Sequence, residues 1–485
     1  MTVVLDSRRD FTLEAARRVG AGESVRFSKR ALARMTATRT SFMRLLDSDR
    51  GQFIYGVTSE AGPRAMNRIP PEKQRAHARD ALRRPEGWGF GGGDLPERVV
   101  RMIVFARLAN YVEGNAKTRP VIARRVAAML DRPLPKVPLM GQVGAGEILP
   151  LFHAMSRLPE GDVQEAEPMT VVNGAPVSAA LAADVALGAG HRLALAERVF
   201  ALSIEAISAP LDHYDPALAA FWGDPFEAAA LRSLRHLLAG VPRKGRRAYQ
   251  APVSWRILPR VLGAARRAVA TMAEVAEISL SAVTDNPVYV PPDRAHPMGR
   301  VFSTGGYHNA QAYPAIDAVN ANWADLCTLA DRHTTKLHNA AVSHLPRGLV
   351  KPGARPWGTG LLGMIQIDFG ETARHAAQRT FLPPSEGGGY GQNDVAVPTF
   401  IAYRKHLQAA DCLESALAIL AATASQALWS TDRDGPKRLR PFLAAVRRHV
   451  PPVHGRRSRH IGRDLARLKD AFAAAVARGD VDSVD

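Results

Sequence analysis

Apolar residues recur at three- and four-residue spacing throughout Val177–Ala209. That spacing lines one face of an α-helix, so the stretch predicts one long helix or two abutting ones. Val261–Ala282, Asn309–Asn339 and Lys405–Trp429 repeat the pattern. Each is well above the ~11-residue average of globular proteins. Helices of that length argue for a bundle, one completed by neighbouring subunits. Shorter helical patterns run over Phe27–Leu46, Pro96–Tyr111, 120–130 and Arg463–Ala477, the last following a Val450-Pro451-Pro452-Val453 break. Strand signals are few, and Asn286–Val290 is the clearest. Glycines and prolines mark Gln52–Pro63 and Pro85–Asp94 as loops. The expected fold is mainly α with a long central helical bundle. It divides into an N-terminal domain over 1–200, a central long-helix bundle over 201–435 and a basic helical tail over 436–485.

Composition narrows the setting. With 46% hydrophobic and 23% charged residues, 485 residues build an ordinary soluble core. The net charge of +18 raises the question of nucleic acid. The arginines are spread through every segment, however, with local clusters only at Arg243–Arg247 and Arg456–Arg463, which argues against a nucleic-acid partner. Two cysteines, Cys327 and Cys412, are too few for a disulfide framework and point to a reducing compartment. The N-terminus lacks a basic-then-apolar signal pattern, and no uninterrupted apolar run reaches the ~18 residues of a membrane span. A cytoplasmic protein without membrane contact is expected.

Candidate chemistry centres on Met140-Gly141-Gln142-Val143-Gly144-Ala145-Gly146-Glu147-Ile148-Leu149-Pro150-Leu151. Glycines at 141, 144 and 146 permit backbone approaches that a Cβ would block. Upstream lies Tyr55-Gly56-Val57-Thr58, whose phenol, with a pKa near ~10, serves as a base only with cationic or hydrogen-bond help. Its structural alternative is a packed tyrosine. Asn173, in Val171-Val172-Asn173-Gly174, offers two donors and an acceptor, or else caps the helix that follows, a preference worth ~1 kcal/mol. Gln250 and Arg256 sit in Gln250-Ala251-Pro252-Val253-Ser254-Trp255-Arg256; Arg256 is an anion fork or a surface ion-pairing arginine. Thr284-Asp285-Asn286-Pro287 reads as an Asx-type turn. His333, His338 and His344 do not share a helical face as i,i+4 ligands would, and no metal-binding motif is present. Gly91–Gly93 and Gly387–Gly389 lack a phosphate-loop context and read as covers over a site.

Together these motifs resemble the aromatic amino-acid ammonia-lyases, the histidine and phenylalanine ammonia-lyases, over residues 50–430 and in the same order. The family loop reads Gly-Ser-Val-Gly-Ala-Ser-Gly-Asp-Leu-Ala-Pro-Leu, and its Ala-Ser-Gly cyclises and dehydrates to a methylidene-imidazolone electrophile. In this sequence Gly146 follows Ala145 directly, so the serine is missing from Gly144-Ala145-Gly146. Val253 stands where the family has a tyrosine that assists formation of the ring. The resemblance makes Tyr55 the general base, Arg256 the grip on a substrate carboxylate, and Asn173, Gln250, Tyr307 and Asn393 substrate contacts. Tyr307 comes from Ser303-Thr304-Gly305-Gly306-Tyr307-His308, and Asn393 from Gly391-Gln392-Asn393-Asp394. The histidine that reads imidazole in histidine lyases falls near Gly87-Trp88, where this sequence has none, which speaks against histidine as the substrate.

The resemblance implies a bundle of the ammonia-lyase (fumarase/aspartase-like) type and a homotetramer whose sites combine loops from several subunits. Without the serine, no methylidene-imidazolone, other cofactor or metal is expected. The function expected is a Tyr55-based elimination or addition of the carbon–nitrogen lyase type. Its substrate would be an activated small-molecule or carrier-linked amino-acid derivative. The alternative is an inactive homologue with a binding or regulatory role.

Overall fold

The computed structural model describes residues 2–48, 51–82, 87–158, 161–351, 353, 359–385, 391–454 and 460–484. Gly387–Gly389, Arg456–Arg459 and the start of the Pro85–Asp94 loop lie outside the described residues.

The four long patterns are four helices, Pro176–Ala206, Leu258–Ser281, Ala312–His338 and Thr399–Ser430. The first is continuous, not a pair. Within Thr399–Ser430, Leu413, Leu417, Leu420, Ala424 and Leu428 are fully buried at helical spacing. Glu167–Ala206 and Thr399–Ser430 are long and apolar enough to cross a membrane, but 83% of each apolar window is buried inside the protein, as in core helices. Lys29–Ser48, Glu97–Val112, Pro120–Ala128 and Ile461–Arg478 match the shorter patterns. Glu97–Val112 is buried from Val99 onward although that stretch carries two arginines, Arg101 and Arg107. Arg101 donates to the carbonyls of Val19, Leu130 and Glu23, and Arg107 pairs with Asp285; burial of charge requires such partners.

The described residues also form two small two-stranded sheets. Val288–Val290 pairs antiparallel with Arg300–Phe302, Tyr289 opposite Val301. Thr2–Leu5 pairs in parallel with Ser24–Phe27, and Val3, Leu5, Val25 and Phe27 point inward at period two.

The chain groups into two compact units of interleaved segments, one of 1–187, 272–315 and 380–404 and the other of 188–271, 316–379 and 405–485. That grouping differs from the three consecutive domains expected from the sequence. The first unit contains a core cluster of Phe42, Leu45, Leu46, Ile54, Val57, Ala166 and Tyr289, with Phe42 edge-on to Tyr289 at 5.4 Å. Each large apolar side chain buried there contributes about 1.5–3 kcal/mol.

Candidate functional site

In the first unit, the loop 140–147 is suspended between fixed points. Its leading segment runs along the glycine-rich stretch before Leu95: Leu95 N donates to Val137 O (2.8 Å), Leu139 N to Gly93 O (2.9 Å) and Met140 N to Gly91 O (3.2 Å). Gly141, at φ +70°, comes so close to Gly89 that a Cβ would lie 2.9 Å from its Cα. Gly144 and Gly146 then bridge across Ala145, and the Gly144 carbonyl accepts from Val397 N at 2.8 Å. Ala145 is half-buried. Between Gly144 and Gly146 there is no side-chain hydroxyl or thiol.

The far anchor is Glu147. Its carboxylate accepts from Val177 N (2.6 Å) and Ser178 N (2.8 Å), satisfying two of the orphan donors at the start of the Pro176–Ala206 helix. Burial pushes this carboxyl up to about 7, while Ser178 and Val177 pull it back toward the ionised form. The sequence expectation that Asn173 caps this helix is thereby corrected. Asn173 instead terminates Glu167–Val172, and its Nδ2 donates to Asn286 O at 2.6 Å. Asn286 Oδ1 in turn accepts from Ser303 Oγ (3.0 Å) and Thr304 N (2.9 Å). Asn110 Oδ1 accepts from Thr284 N and Asp285 N. The Asp-Asn-Pro turn therefore fixes the loop that carries Tyr307.

Tyr55 lies in a tight turn. Val57, Thr58 and Ser59 N–H all donate to the Ile54 carbonyl, and Thr58 Oγ1 joins Ile54 N to Gln52 O at 2.7 Å each. The turn requires glycine at 56, where φ is +66° and a Cβ would lie 2.3 Å from Met169 Cγ. Tyr55 Oη accepts from Gly62 N at 3.0 Å. Burial pushes the phenol above its ordinary range, Gly62 opposes this, and Tyr307 is an electrostatic neighbour that adds to the rise. Tyr307 also packs on the loop: a Cβ at Gly146, which has φ +81°, would meet its ring at 3.3 Å. Tyr307 thus links Tyr55 to Gly146. Asn393 is half-buried, four residues before the Val397 that anchors Gly144.

The second unit holds Gln250 and Arg256. Gln250 is exposed. Arg256 Nε donates to Ala251 O at 3.1 Å, and no carboxylate pairs with this arginine among the described residues. The expectation of a surface ion pair is therefore not met. Arg256 rests on a fixed platform: Trp255 is buried and stacked on His333 at 3.7 Å and 4°. Its carbonyl accepts from Tyr214 Oη (3.0 Å) and its Nε1 donates to Ser203 O (3.4 Å). His333 is thus a packing partner, pushed down to about 3 by burial. His338 is held by Thr334 O and Thr359 Oγ1.

Sequence reasoning missed three polar residues in the first unit, Glu147, Gln142 and His153. No histidine occupies 87 or 88, yet one is beside them in space, since a Cβ on Gly87 would fall 2.0 Å from His153 Nδ1. A Cβ on Gly89 would fall 2.4 Å from Gln142 Nε2. Two glycines spaced by one residue in a loop were the only signal that side chains approach from elsewhere.

A sequence profile of the aromatic amino acid lyase family matches residues 11–164 and 154–448. The chain is 28% identical over 460 residues to the histidine ammonia-lyase of Aromatoleum aromaticum, covering 87% of this chain and 85% of that one. It is 27% identical over 494 residues to the histidine ammonia-lyase of Sorangium cellulosum, covering 93% of each. Among solved structures it resembles the ergothioneine-degrading ergothionase of Treponema denticola, with a TM-score of 0.85, 18% identity and coverage of 98% and 99%. The tyrosine aminomutase of Streptomyces globisporus gives a TM-score of 0.83 at 22% identity, covering 99% and 98%. These two likenesses establish the fold.

Proposed function

The chain belongs to the aromatic amino acid lyase family, and on that footing we propose that it is a carbon–nitrogen lyase working without a methylidene-imidazolone. Family members normally make that group from their own chain. The residues present do not fit it: the exocyclic methylene comes from a side chain that loses water, and Gly144, Ala145 and Gly146 have none to lose. This observation carries the proposal.

Without an electrophile, the substrate nitrogen must already be a good leaving group. A quaternary ammonium qualifies, because it departs as a neutral amine. Tyr55 takes the proton from the carbon next to the one bearing nitrogen. The C–H electrons form the new C=C bond, and the C–N pair leaves with the amine. Tyr55 is held protonated by burial, and a substrate cation beside the ring favours the phenolate it needs. Arg256 has two terminal nitrogens suited to a carboxylate. Asn173, Tyr307, Gln250 and Asn393 are proposed substrate contacts in a homotetramer whose sites combine loops from several subunits.

The test is a panel of quaternary-ammonium amino acids, including ergothioneine, the compound degraded by the Treponema denticola enzyme, alongside free histidine, phenylalanine and tyrosine. Elimination from the former that disappears in Tyr55→Phe supports the proposal. Rapid urocanate- or cinnamate-type absorbance from the free amino acids overturns it. The raised pKa of Tyr55 favours a second reading, a catalytically silent family member, and ligand binding without turnover anywhere in the panel would support that one.

A further inference from the structure

Two consecutive side chains hold both ends of the turn that carries Arg256. The turn is a short helix, Val253–Arg256, that follows Pro252. Trp255 N donates to Pro252 O at 3.0 Å, and Arg256 Nε donates to Ala251 O at 3.1 Å. So short a helix is not stable by itself, which leaves its position to its neighbours. Those neighbours are His213 and Tyr214, side by side on the short helix Leu211–Tyr214. Tyr214 Oη donates to Trp255 O at 3.0 Å, and His213 Nε2 accepts from Ala251 N at 3.2 Å. Ala251 is 2% exposed, so its N–H depends on the imidazole for a partner. Ala251 thereby joins His213 to Arg256, its N–H bonded to the imidazole and its C=O to the guanidinium. With Nε engaged, Arg256 keeps its two terminal nitrogens for a ligand.

The bond to Ala251 also sets the charge of the imidazole. A backbone N–H only donates, so Nε2 holds a lone pair and the ring is neutral, with its proton on Nδ1. Protonation sets N–H against N–H and releases Ala251. Burial pushes His213 below its ordinary 6.5, Arg256 across on the turn adds to the fall, and Asp212 beside it opposes. Tyr214 lies edge-on to the ring at 6.1 Å and is itself committed to Trp255 O. The neutral form therefore prevails at neutral pH, and the clamp is lost only as pH falls below the range of an ordinary histidine.

We propose that His213 is a positioning residue for Arg256: through Ala251 its neutral imidazole holds the guanidinium in the attitude that grips a substrate carboxylate. The inference rests on the reading of Arg256 as that grip. It adds a residue that touches no substrate, and a pH limit that an always-ionised guanidinium does not have by itself. Protonation of His213 has two opposed consequences. It frees the turn, which weakens carboxylate capture, and it sets a second cation near Arg256, which strengthens it. Release of the turn dominates, because a fork must be aimed to reach both oxygens, whereas the charge of a half-buried imidazole is screened by water and salt.

The experiment measures binding to the full-length protein by calorimetry from pH 8 to pH 5, using 3-phenylpropionate and its uncharged amide, 3-phenylpropionamide. The acid's carboxyl titrates near ~4.3, as that of glutamate does, and stays mostly ionised over this range. The ratio of the two affinities isolates the carboxylate grip. The wild-type ratio is expected to fall about tenfold between pH 8 and pH 5. His213→Gln, whose amide oxygen accepts from Ala251 N without titrating, should keep the ratio of pH 8 throughout, whereas any other titration persists in it. His213→Phe should show the low ratio at every pH, with binding of the uncharged amide unchanged. A wild-type acid preference that stays flat or rises toward low pH overturns the proposal. So does a fall that survives in His213→Gln, or a loss in His213→Phe shared equally by both ligands. Hydrogen exchange of a peptide spanning residues 245–257 reads the clamp without a ligand. It should quicken in His213→Phe and stay at the wild-type rate in His213→Gln. If the wild type holds acid and amide alike and Arg256→Gln changes neither, the carboxylate role of Arg256 fails, while exchange that follows His213 keeps the clamp. If the preference disappears in Arg256→Gln but ignores both changes at 213, the inference alone fails.

Discussion

Replacing Glu147 by glutamine should change how stability responds to pH, in a direction fixed by the structure. Both carboxylate oxygens receive backbone N–H groups at the start of the Pro176–Ala206 helix, yet burial lifts the carboxyl from its ordinary 4.5 to about 7. A carboxyl pKa raised on folding contributes stability that is complete below 4.5 and is lost as pH rises through about 7. At ~1.4 kcal/mol per pH unit that gap corresponds to about 3 kcal/mol, with the pull of the two N–H groups toward the anion already contained in it. Glutamine keeps the shape and does not ionise, but its amide offers one oxygen acceptor where the two N–H groups use two, a cost that is the same at every pH. At pH 4.5 the Glu147→Gln protein should therefore be the less stable of the two, by about 1–3 kcal/mol for the N–H group left unpaired. By pH 8 the difference between them should have moved about 2–3 kcal/mol in favour of the variant. Urea unfolding of both proteins across one pH series measures this, and titrations common to the two cancel in the difference. A pH-independent difference would refute the reasoning by showing that the two N–H groups keep the carboxylate ionised throughout. A difference that grows in favour of the wild type would refute it more sharply.

Other expectations follow from single contacts. Mass spectrometry of a peptide spanning residues 130–160 should return the unmodified sequence mass, and a fragment lighter by two waters would sink the proposed mechanism. Gly56→Ala forces a Cβ into Met169 at positive φ and should destabilise by about 2–4 kcal/mol; a smaller loss in thermal unfolding would mean that the Tyr55 turn relaxes freely. Because burial holds Tyr55 protonated, turnover that uses its phenolate should rise about tenfold per pH unit through neutrality, a slope absent in Tyr55→Phe. Arg256→Lys keeps the charge but loses the fork, so KM for a carboxylate substrate should rise about tenfold or more with kcat little changed; a fall confined to kcat would place Arg256 elsewhere in the reaction.

The long helices were legible because their register repeats. Leu413, Leu417, Leu420, Ala424 and Leu428 mark one buried face in sequence as clearly as in space. The Asp-Asn-Pro turn was legible for a similar reason, since its chemistry is local. What escaped the sequence is what distance along the chain conceals. Asn173 stands nearly at the start of the long helix and was the natural cap, but the carboxylate that reaches those N–H groups comes from thirty residues upstream. His153 is invisible beside Gly87 until a helix folds back to it. The interleaved grouping of segments was hidden too, because dividing points such as Leu187 and Thr271 fall within helices and carry no linker composition. Thr2–Leu5 was missed because four residues of a parallel pair give too short an alternation to register.

The anchoring of the Ala145 loop bears on any attempt to rebuild the lost electrophile. The Gly144 carbonyl is tied to Val397 and the Glu147 carboxylate to the Pro176–Ala206 helix, leaving Ala145 and Gly146 to span two moorings set for their length. Inserting a serine between them adds up to 3.8 Å of chain to a gap that has not widened, and the slack must bulge toward the ring of Tyr307. A successful graft would have to lengthen the tether and clear its landing place together, by inserting the serine while trimming Tyr307 or releasing one mooring. The insertion alone should yield a puckered, unreacted loop.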